Sequence, residues 1–355
     1  VRFDEGQLDQ LALALAERMA APKARWSFGE LGALWLTRVR RVRVADEKRN
    51  VAQLHPLFAW KEHELTPAMI SEWFNQLLEM GFSPVSVNKY RCAGRLIVRD
   101  AQANAQWGAA NPFDLVKRLR EPKRKYEMLS LDELRRVLPH LRPQERRMVR
   151  LTVHLGLRTG ELFALQKSDV DFAAGVIHVR RSHGRATTKT GKHRTVPLLH
   201  GVAGDLMDAI RESPTSLVFP SADGGLKRSD SKMSRVLRTA MAAAGVVTGY
   251  VFTCRKPGCE YKIEFAGECA DMVCPEHGWK LWRTPQVKAV RWYDLRHMAA
   301  TFHRQAGADR LAVKLLLGHA SDVTDDTYTH MGDDWARREL SRFSLDSGPG
   351  VQPVR

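Results

Sequence analysis

LGHASDVTDDTYTH, residues 317 to 330, decides how this chain is read, because it sets His319 nine residues ahead of Tyr328 near the carboxy terminus. Thr324 is placed to cap a helix, Asp325 and Asp326 suit its positive first turn, and Tyr328 falls one turn further in. A lone tyrosine in such a helix is usually packing or surface. It gains meaning from three residues upstream, in order: Arg158 in LGLRTGEL, Lys189 in TTKTGKHRTVPL and Arg296 in YDLRH.

Those residue types suit attack on a phosphodiester. The diester repels nucleophiles, and attack at phosphorus adds negative charge to its oxygens. Guanidinium groups counter this with a planar fork of donors that never loses its proton, which makes Arg158 and Arg296 the candidate clamp. A phenol with a pKa near 10 is a poor nucleophile until a cation lies beside it and its proton is taken up. His319 and the clamp are placed in the order for that task. A lysine on a hairpin turn, its pKa lowered by neighbouring arginines, can protonate the departing 5′ hydroxyl, and Lys189 is the candidate general acid. Glu161 would cap a helix or buttress Arg158, and the buttress is the favoured reading.

The ordered set resembles the tyrosine recombinases of the phage-integrase family. The resemblance covers most of residues 129 to 335. It implies a 3′-phosphotyrosine link at Tyr328 that is resealed without ATP, chemistry that needs no cofactor, and four protomers on two DNA sites. It also implies a C-shaped clamp of two domains around the duplex, with directionality or DNA-bending factors as further partners. One position departs from the pattern. The second-arginine motif usually opens with His, but Tyr293 stands there. A phenol donates a hydrogen bond to a phosphate oxygen but does not shuttle protons near pH 7 as imidazole does. Tyr293 is therefore assigned phosphate hydrogen bonding only, and His297 is read as packed or supporting.

Composition agrees with a nucleic-acid partner. The 355 residues contain 56 Lys and Arg against 40 Asp and Glu, a formal net charge of +16, which suits coverage of many phosphates. No apolar run approaches the roughly 20 residues of a membrane span. Leu8, Leu11, Leu15 and Met19 lie at helical spacing, so the amino terminus reads as a short amphipathic helix and not a signal peptide. The expectation is a cytoplasmic protein that associates with DNA. The chain begins at Val1 and not Met, which leaves room for an arm-binding domain ahead of it.

The expected fold is mainly α with a small β-sheet, an α+β protein of two domains. After a helical extension (1 to 23), residues 24 to 114 read as a helical unit resembling the core-binding, SAM-like domain of the integrases. Ser27 with Glu30 forms a capping-box signature, Thr66-Pro67 and Ser83-Pro84 open helices, and Gly81 stops one. Arg38, Arg40, Arg41 and Arg43 form either a solvated face or a DNA-facing one, and Cys92 reads as packed core. Residues 115 to 128 are a basic linker ending at a second capping box, Ser130 with Glu133. The catalytic domain would span 129 to 345, with strands over 176 to 181 and 193 to 198 forming a hairpin around Lys189. Helical periodicity follows from 200 through 244 and from 292 to 342. Residues 346 to 355 form a tail, and the segment after Tyr328 is placed to dock on a neighbouring protomer.

Residues 251 to 284 depart from the pattern again. Four of the five cysteines in the chain fall there: Cys254, Cys259, Cys269 and Cys274, followed by His277. The spacings in CRKPGC and CPEH suit the paired knuckles of a tetrahedral structural zinc site, and an intracellular cluster favours metal over disulfides. The expected ligands are Cys254, Cys259, Cys274 and His277, with Cys269 competing for the fourth place. Trp279, Trp282, Lys280, Arg283, Arg255 and Lys256 give the insertion either an inward-packed knob or a contact surface for DNA or a partner. The reading is a site-specific DNA recombinase. The alternatives are a type IB topoisomerase-like enzyme, or a non-catalytic DNA-binding zinc protein on the same scaffold.

Overall fold

A computed structural model describes residues 26–39, 44–122, 126–183, 193–228, 232–267, 270–318 and 333–346. Four expected site residues, Lys189, Cys269, His319 and Tyr328, lie outside them, as do Arg40, Arg41, Arg43, Thr324, Asp325 and Asp326. The chain divides into two compact units, residues 1–124 and 125–355, with a separate hydrophobic core in each.

The first unit is helical: α1 (Phe28–Arg38), α2 (Val44–Ala52), α3 (Pro67–Glu79), α4 (Pro84–Ala103) and α5 (Pro112–Leu115). Its helix starts follow local chemistry. Ser27 caps the Glu30 amide while the Glu30 carboxylate accepts from the Ser27 amide at 2.8 Å. Thr66 and Ser83 accept from Met69 and Ser86, each just before a proline at the first helical position, where the missing N–H costs nothing. Gly81 separates α3 from α4 with φ +88°. The long α4 turns Val87, Ala93, Gly94, Ile97, Val98 and Ala101 inward onto Phe28, Leu31 and Phe113. A Cβ at Gly94 would sit 2.3 Å from the Phe113 ring, so glycine lets the ring lie on the helix backbone. Cys92 falls outside this stripe and is exposed, correcting its reading as core. Arg38 is tied to Asp100 at 2.9 Å and to Gln106 at 3.1 Å.

The second unit begins at the Ser130–Glu133 capping box with α6 (Leu131–Val137), α7 (Pro143–Leu155) and α8 (Thr159–Phe163). The strands β1 (Val170–Asp171), β2 (Val176–Val179) and β3 (Arg194–Pro197) then form one antiparallel sheet in that order. Ile177 pairs with Val196, and both side chains are fully buried. The hairpin is thus present, with shorter strands than expected and a third strand, β1, beside it. Next come α9 (His200–Glu212) and α10 (Met233–Ala243). Helix does not run unbroken from 200 to 244, because residues 214 to 220 carry two prolines and bond as extended chain. Val218 N donates to Leu165 O and Lys167 N to Ser216 O, both at 2.9 Å.

A second antiparallel sheet holds β4 (Gly249–Thr253) between β5 (Lys262–Ala266) and β6 (Trp282–Gln286), extending two residues beyond each end of the expected insertion. Its core is small: Phe252, Cys254, Cys274 and Leu281. The chain then returns through α11 (Asp294–Gln305), α12 (Arg310–Leu317) and α13 (Asp333–Leu340). The central α7 is buried along most of its length and packs against α9 and α11. Leu340, Phe343 and Leu345 join the same core, and Arg150 grips Asp346 with two bonds of 2.8 Å. The described residues after α13 therefore pack on their own unit. Among the described residues no helix is long and apolar enough to cross a membrane.

Candidate active site

Two helix ends and one strand start meet in the second unit. Helix α7 stops at Gly156, whose φ of +59° closes the last turn in the left-handed region. Two residues later Arg158 starts α8 with its backbone N–H donating to Glu161 Oε2 at 2.9 Å. Its guanidinium Nη1 donates to Glu161 Oε1 at 2.7 Å. Glu161 is 3 % exposed, and it also receives the fork of Arg194, Nη1 to Oε1 and Nη2 to Oε2, each at 2.8 Å. Burial by itself would raise the Glu161 carboxyl. The hydrogen bonds and charge of Arg194, followed by the backbone and side chain of Arg158, outweigh it and hold the carboxyl at about 2.

Arg296 enters from α11 and is 2 % exposed. Its Nη1 donates to Gly156 O and its Nη2 to Leu317 O. These carbonyls close the carboxy-terminal ends of α7 and α12, where orphan C=O groups carry the negative pole of each helix. Burial, then the nearby charge of Arg158, lowers the guanidinium to about 10, so Arg296 stays charged at neutral pH. The start of α11 is held in turn by Asp294, which accepts from Arg291 N at 2.8 Å. The cluster has three guanidiniums and one carboxylate, an arrangement that favours an anion beside it.

The structure thus brings Arg158, Glu161 and Arg296 together, with Glu161 both capping the start of α8 and bonded to the Arg158 guanidinium. Tyr293 lies three residues before Arg296 and is 43 % exposed. Its ring meets His297 edge-on at 5.3 Å, and His297 in turn lies 5.0 Å from the Tyr126 ring. His297 is half-buried, with its ring against those of Tyr293 and Tyr126. Arg194 was not singled out from the sequence, although a signal existed. It lies two residues before Val196, and period two puts both on one face of the strand. An arginine on the buried face of a strand needs an internal anion.

In the insertion, Cys254, Cys259, Cys274 and His277 gather their ligand atoms within 4.8 Å of one another. Cys259 Sγ lies 3.8 Å from Cys274 Sγ, and Cys274 Sγ lies 3.6 Å from His277 Nδ1. Tetrahedral zinc with Zn–S of about 2.3 Å and Zn–N of about 2.0–2.1 Å would separate such pairs by about 3.8 Å and about 3.6 Å. Trp279 and Trp282 are 52 % and 53 % exposed, so neither is an inward-packed knob. The Arg255 guanidinium stacks on Trp282 at 3.6 Å, and Arg283 stacks on Tyr250 at 3.7 Å.

Residues 127–254 match the model of the phage integrase family, a match that ends just after β4. Tyrosine recombinase XerA of Pyrococcus furiosus is 24% identical over 79% of this chain and 88% of its own length. Among solved structures, the Tn1549 transposon integrase in complex with circular intermediate DNA superposes with a TM-score of 0.62 at 17% identity, covering 89% of this chain and 99% of that one. A lambda integrase tetramer bound to a Holliday junction gives 0.60 at 16% identity, over 91% of this chain and 89% of that one. At those identities the structures show a shared fold, mainly helical with small antiparallel sheets. The sequence relation carries further, and the chain is a tyrosine recombinase, an enzyme of site-specific DNA recombination.

Proposed function

We propose that the chain cleaves and rejoins duplex DNA through a covalent link to Tyr328. The observation that carries this reading is the convergence of Arg158 and Arg296, from α8 and α11, around the buried Glu161. In the proposed step the Tyr328 oxygen attacks phosphorus and its proton passes to His319. The bond from phosphorus to the 5′ oxygen breaks, and Lys189 protonates that leaving oxygen. The product is a 3′-phosphotyrosine and a free 5′ hydroxyl, and attack by a 5′ hydroxyl reverses each transfer to reseal a strand. Arg158 and Arg296 bind the phosphate oxygens as charge grows on them. Tyr293, exposed beside Arg296, adds one neutral hydrogen bond.

A structural zinc held by Cys254, Cys259, Cys274 and His277 fits the donor set and its spacing. All four positions would be protein ligands, so the ion would tie β4 to the 274–277 knuckle and take no part in the phosphoryl transfer. The exposed Arg255–Trp282 pair on this insertion is a surface for contact with DNA or a partner. By analogy with the lambda integrase tetramer on a Holliday junction, strand exchange would use four copies of this chain on two DNA sites.

The test is a nicked suicide substrate that traps cleavage. The parent should form a protein–DNA adduct stable to denaturant, and Tyr328→Phe should bind the same DNA without forming it. An adduct from Tyr328→Phe would sink the assignment. Arg158→Lys and Arg296→Lys should also fail, since a point charge does not reproduce the fork.

A further inference from the structure

We infer that Arg194 is a positioning residue of the recombination site, an inference that rests on the function proposed above. Its guanidinium fork occupies one side of the Glu161 carboxylate with two bonds of 2.8 Å, while Arg158 takes the other with its amide and Nη1. Glu161 therefore answers two arginines at once. With Arg194 in place, Arg158 keeps only one guanidinium bond to the carboxylate, and its remaining donors are left for a phosphate. Remove Arg194 and the buried carboxylate has Arg158 as its only hydrogen-bonded arginine. The ion pair then tightens and draws the clamp away from substrate.

The same side chain touches a second part of the site. A Cβ at Gly318 would lie 2.9 Å from Arg194 Cδ and 3.1 Å from its Nε, so the arginine stem runs directly over the backbone of Gly318. This glycine has φ +63° and ends α12, and His319 follows it in sequence. Leu317, on its other side, supplies the carbonyl that holds Arg296. Arg194 thus lies with its stem against Gly318, beside the Leu317 carbonyl that anchors Arg296, and holds Arg158 through Glu161 with its fork. A third tie lies in the turn beyond the end of β2, where His183 N donates to Gly160 O at 2.8 Å. His183 and Arg194, the described residues on either side of the sequence that contains Lys189, are thereby both bonded to α8.

The experiment separates cleavage from binding. Full-length Arg194→Lys and Arg194→Gln keep most of the stem over Gly318 but lose the fork. Each should bind a duplex recombination site within about threefold of the parent, while the single-turnover rate of adduct formation falls about tenfold to a hundredfold. Lysine should not rescue, because charge without the fork leaves a carboxylate oxygen for Arg158 to close upon. A cooperative thermal transition well above the assay temperature confirms that either variant is folded. If one of them unfolds, the other carries the test. If both fail to fold, Glu161 and Arg194 are merely core, and the inference is overturned. Parental cleavage rates, or rate and binding falling together, also overturn it. Tyr328→Phe, run in parallel, keeps the two ideas apart: an adduct there refutes the proposed chemistry, whereas its absence beside full activity in the Arg194 variants refutes only the positioning role.

Discussion

Glu161→Gln should be among the most damaging single-atom changes in the catalytic unit. The carboxylate accepts four hydrogen bonds, at 2.9, 2.7, 2.8 and 2.8 Å, and a glutamine keeps one oxygen to accept them. The other position becomes an NH2 that faces donors. Losing two charge-assisted bonds, and leaving buried guanidiniums without their anion, should cost about 3–5 kcal/mol of stability at pH 7. A second route gives a similar figure. The carboxyl falls from its ordinary 4.5 to about 2, which corresponds to about 3 kcal/mol in favour of the charged form. Because the folded value is depressed, this stability is fully present above pH 4.5 and is lost as pH falls through 2; roughly 1 kcal/mol should be gone by pH 4. The assay is hydrogen exchange with urea titration, read on peptides from α8 and β3, for parent and variant at pH 7 and pH 4. The variant should lose protection at pH 7, and the gap should narrow at pH 4. A variant within about 1 kcal/mol of the parent at pH 7, or a gap that widens on acidification, would refute an ionised, doubly forked Glu161.

Three further outcomes are expected. Protein purified under reducing conditions should carry about one zinc per chain, and Cys274→Ser should lose it and raise hydrogen exchange over 249–286 more than over α7; no zinc by elemental analysis rejects the site. Tyr293→Phe should slow adduct formation about tenfold at most, the worth of one neutral hydrogen bond, and a variant as inactive as Tyr328→Phe would give the phenol an essential role. Gly156→Ala places a Cβ 2.5 Å from Leu317 Cδ2 at a φ of +59°, so it should destabilise the unit by about 1–3 kcal/mol and displace a carbonyl that holds Arg296; wild-type melting and cleavage would show that the turn tolerates it.

What could be read from the chain alone is what local chemistry decides. Ser27–Glu30 and Ser130–Glu133 start helices because a capping box closes within four residues. Thr66-Pro67 and Ser83-Pro84 do the same, and the alternation around Ile177 and Val196 specifies a hairpin. The spacing of Cys254, Cys259, Cys274 and His277 already implied a cluster, since each knuckle is a short loop that brings its own ligands together. The order of Arg158, Arg296, His319 and Tyr328 pointed to the chemistry without coordinates.

Tertiary structure decided what depends on partners far along the chain. Cys92 is exposed because α4 turns Ala93 and Gly94, not its neighbour, onto Phe113, and helical period alone leaves that phase open by a residue. The break between α9 and α10 follows from residues near 217 pairing with the 165–167 segment, a contact that local propensity does not contain. Arg194 reaches Glu161 across 33 residues, and Arg296 reaches Gly156 across 140. A buried charge takes its surroundings from the counter-charge and carbonyls that folding brings to it, so these two arginines, alike in sequence, end in one case on a carboxylate and in the other on the carbonyls of two helix ends.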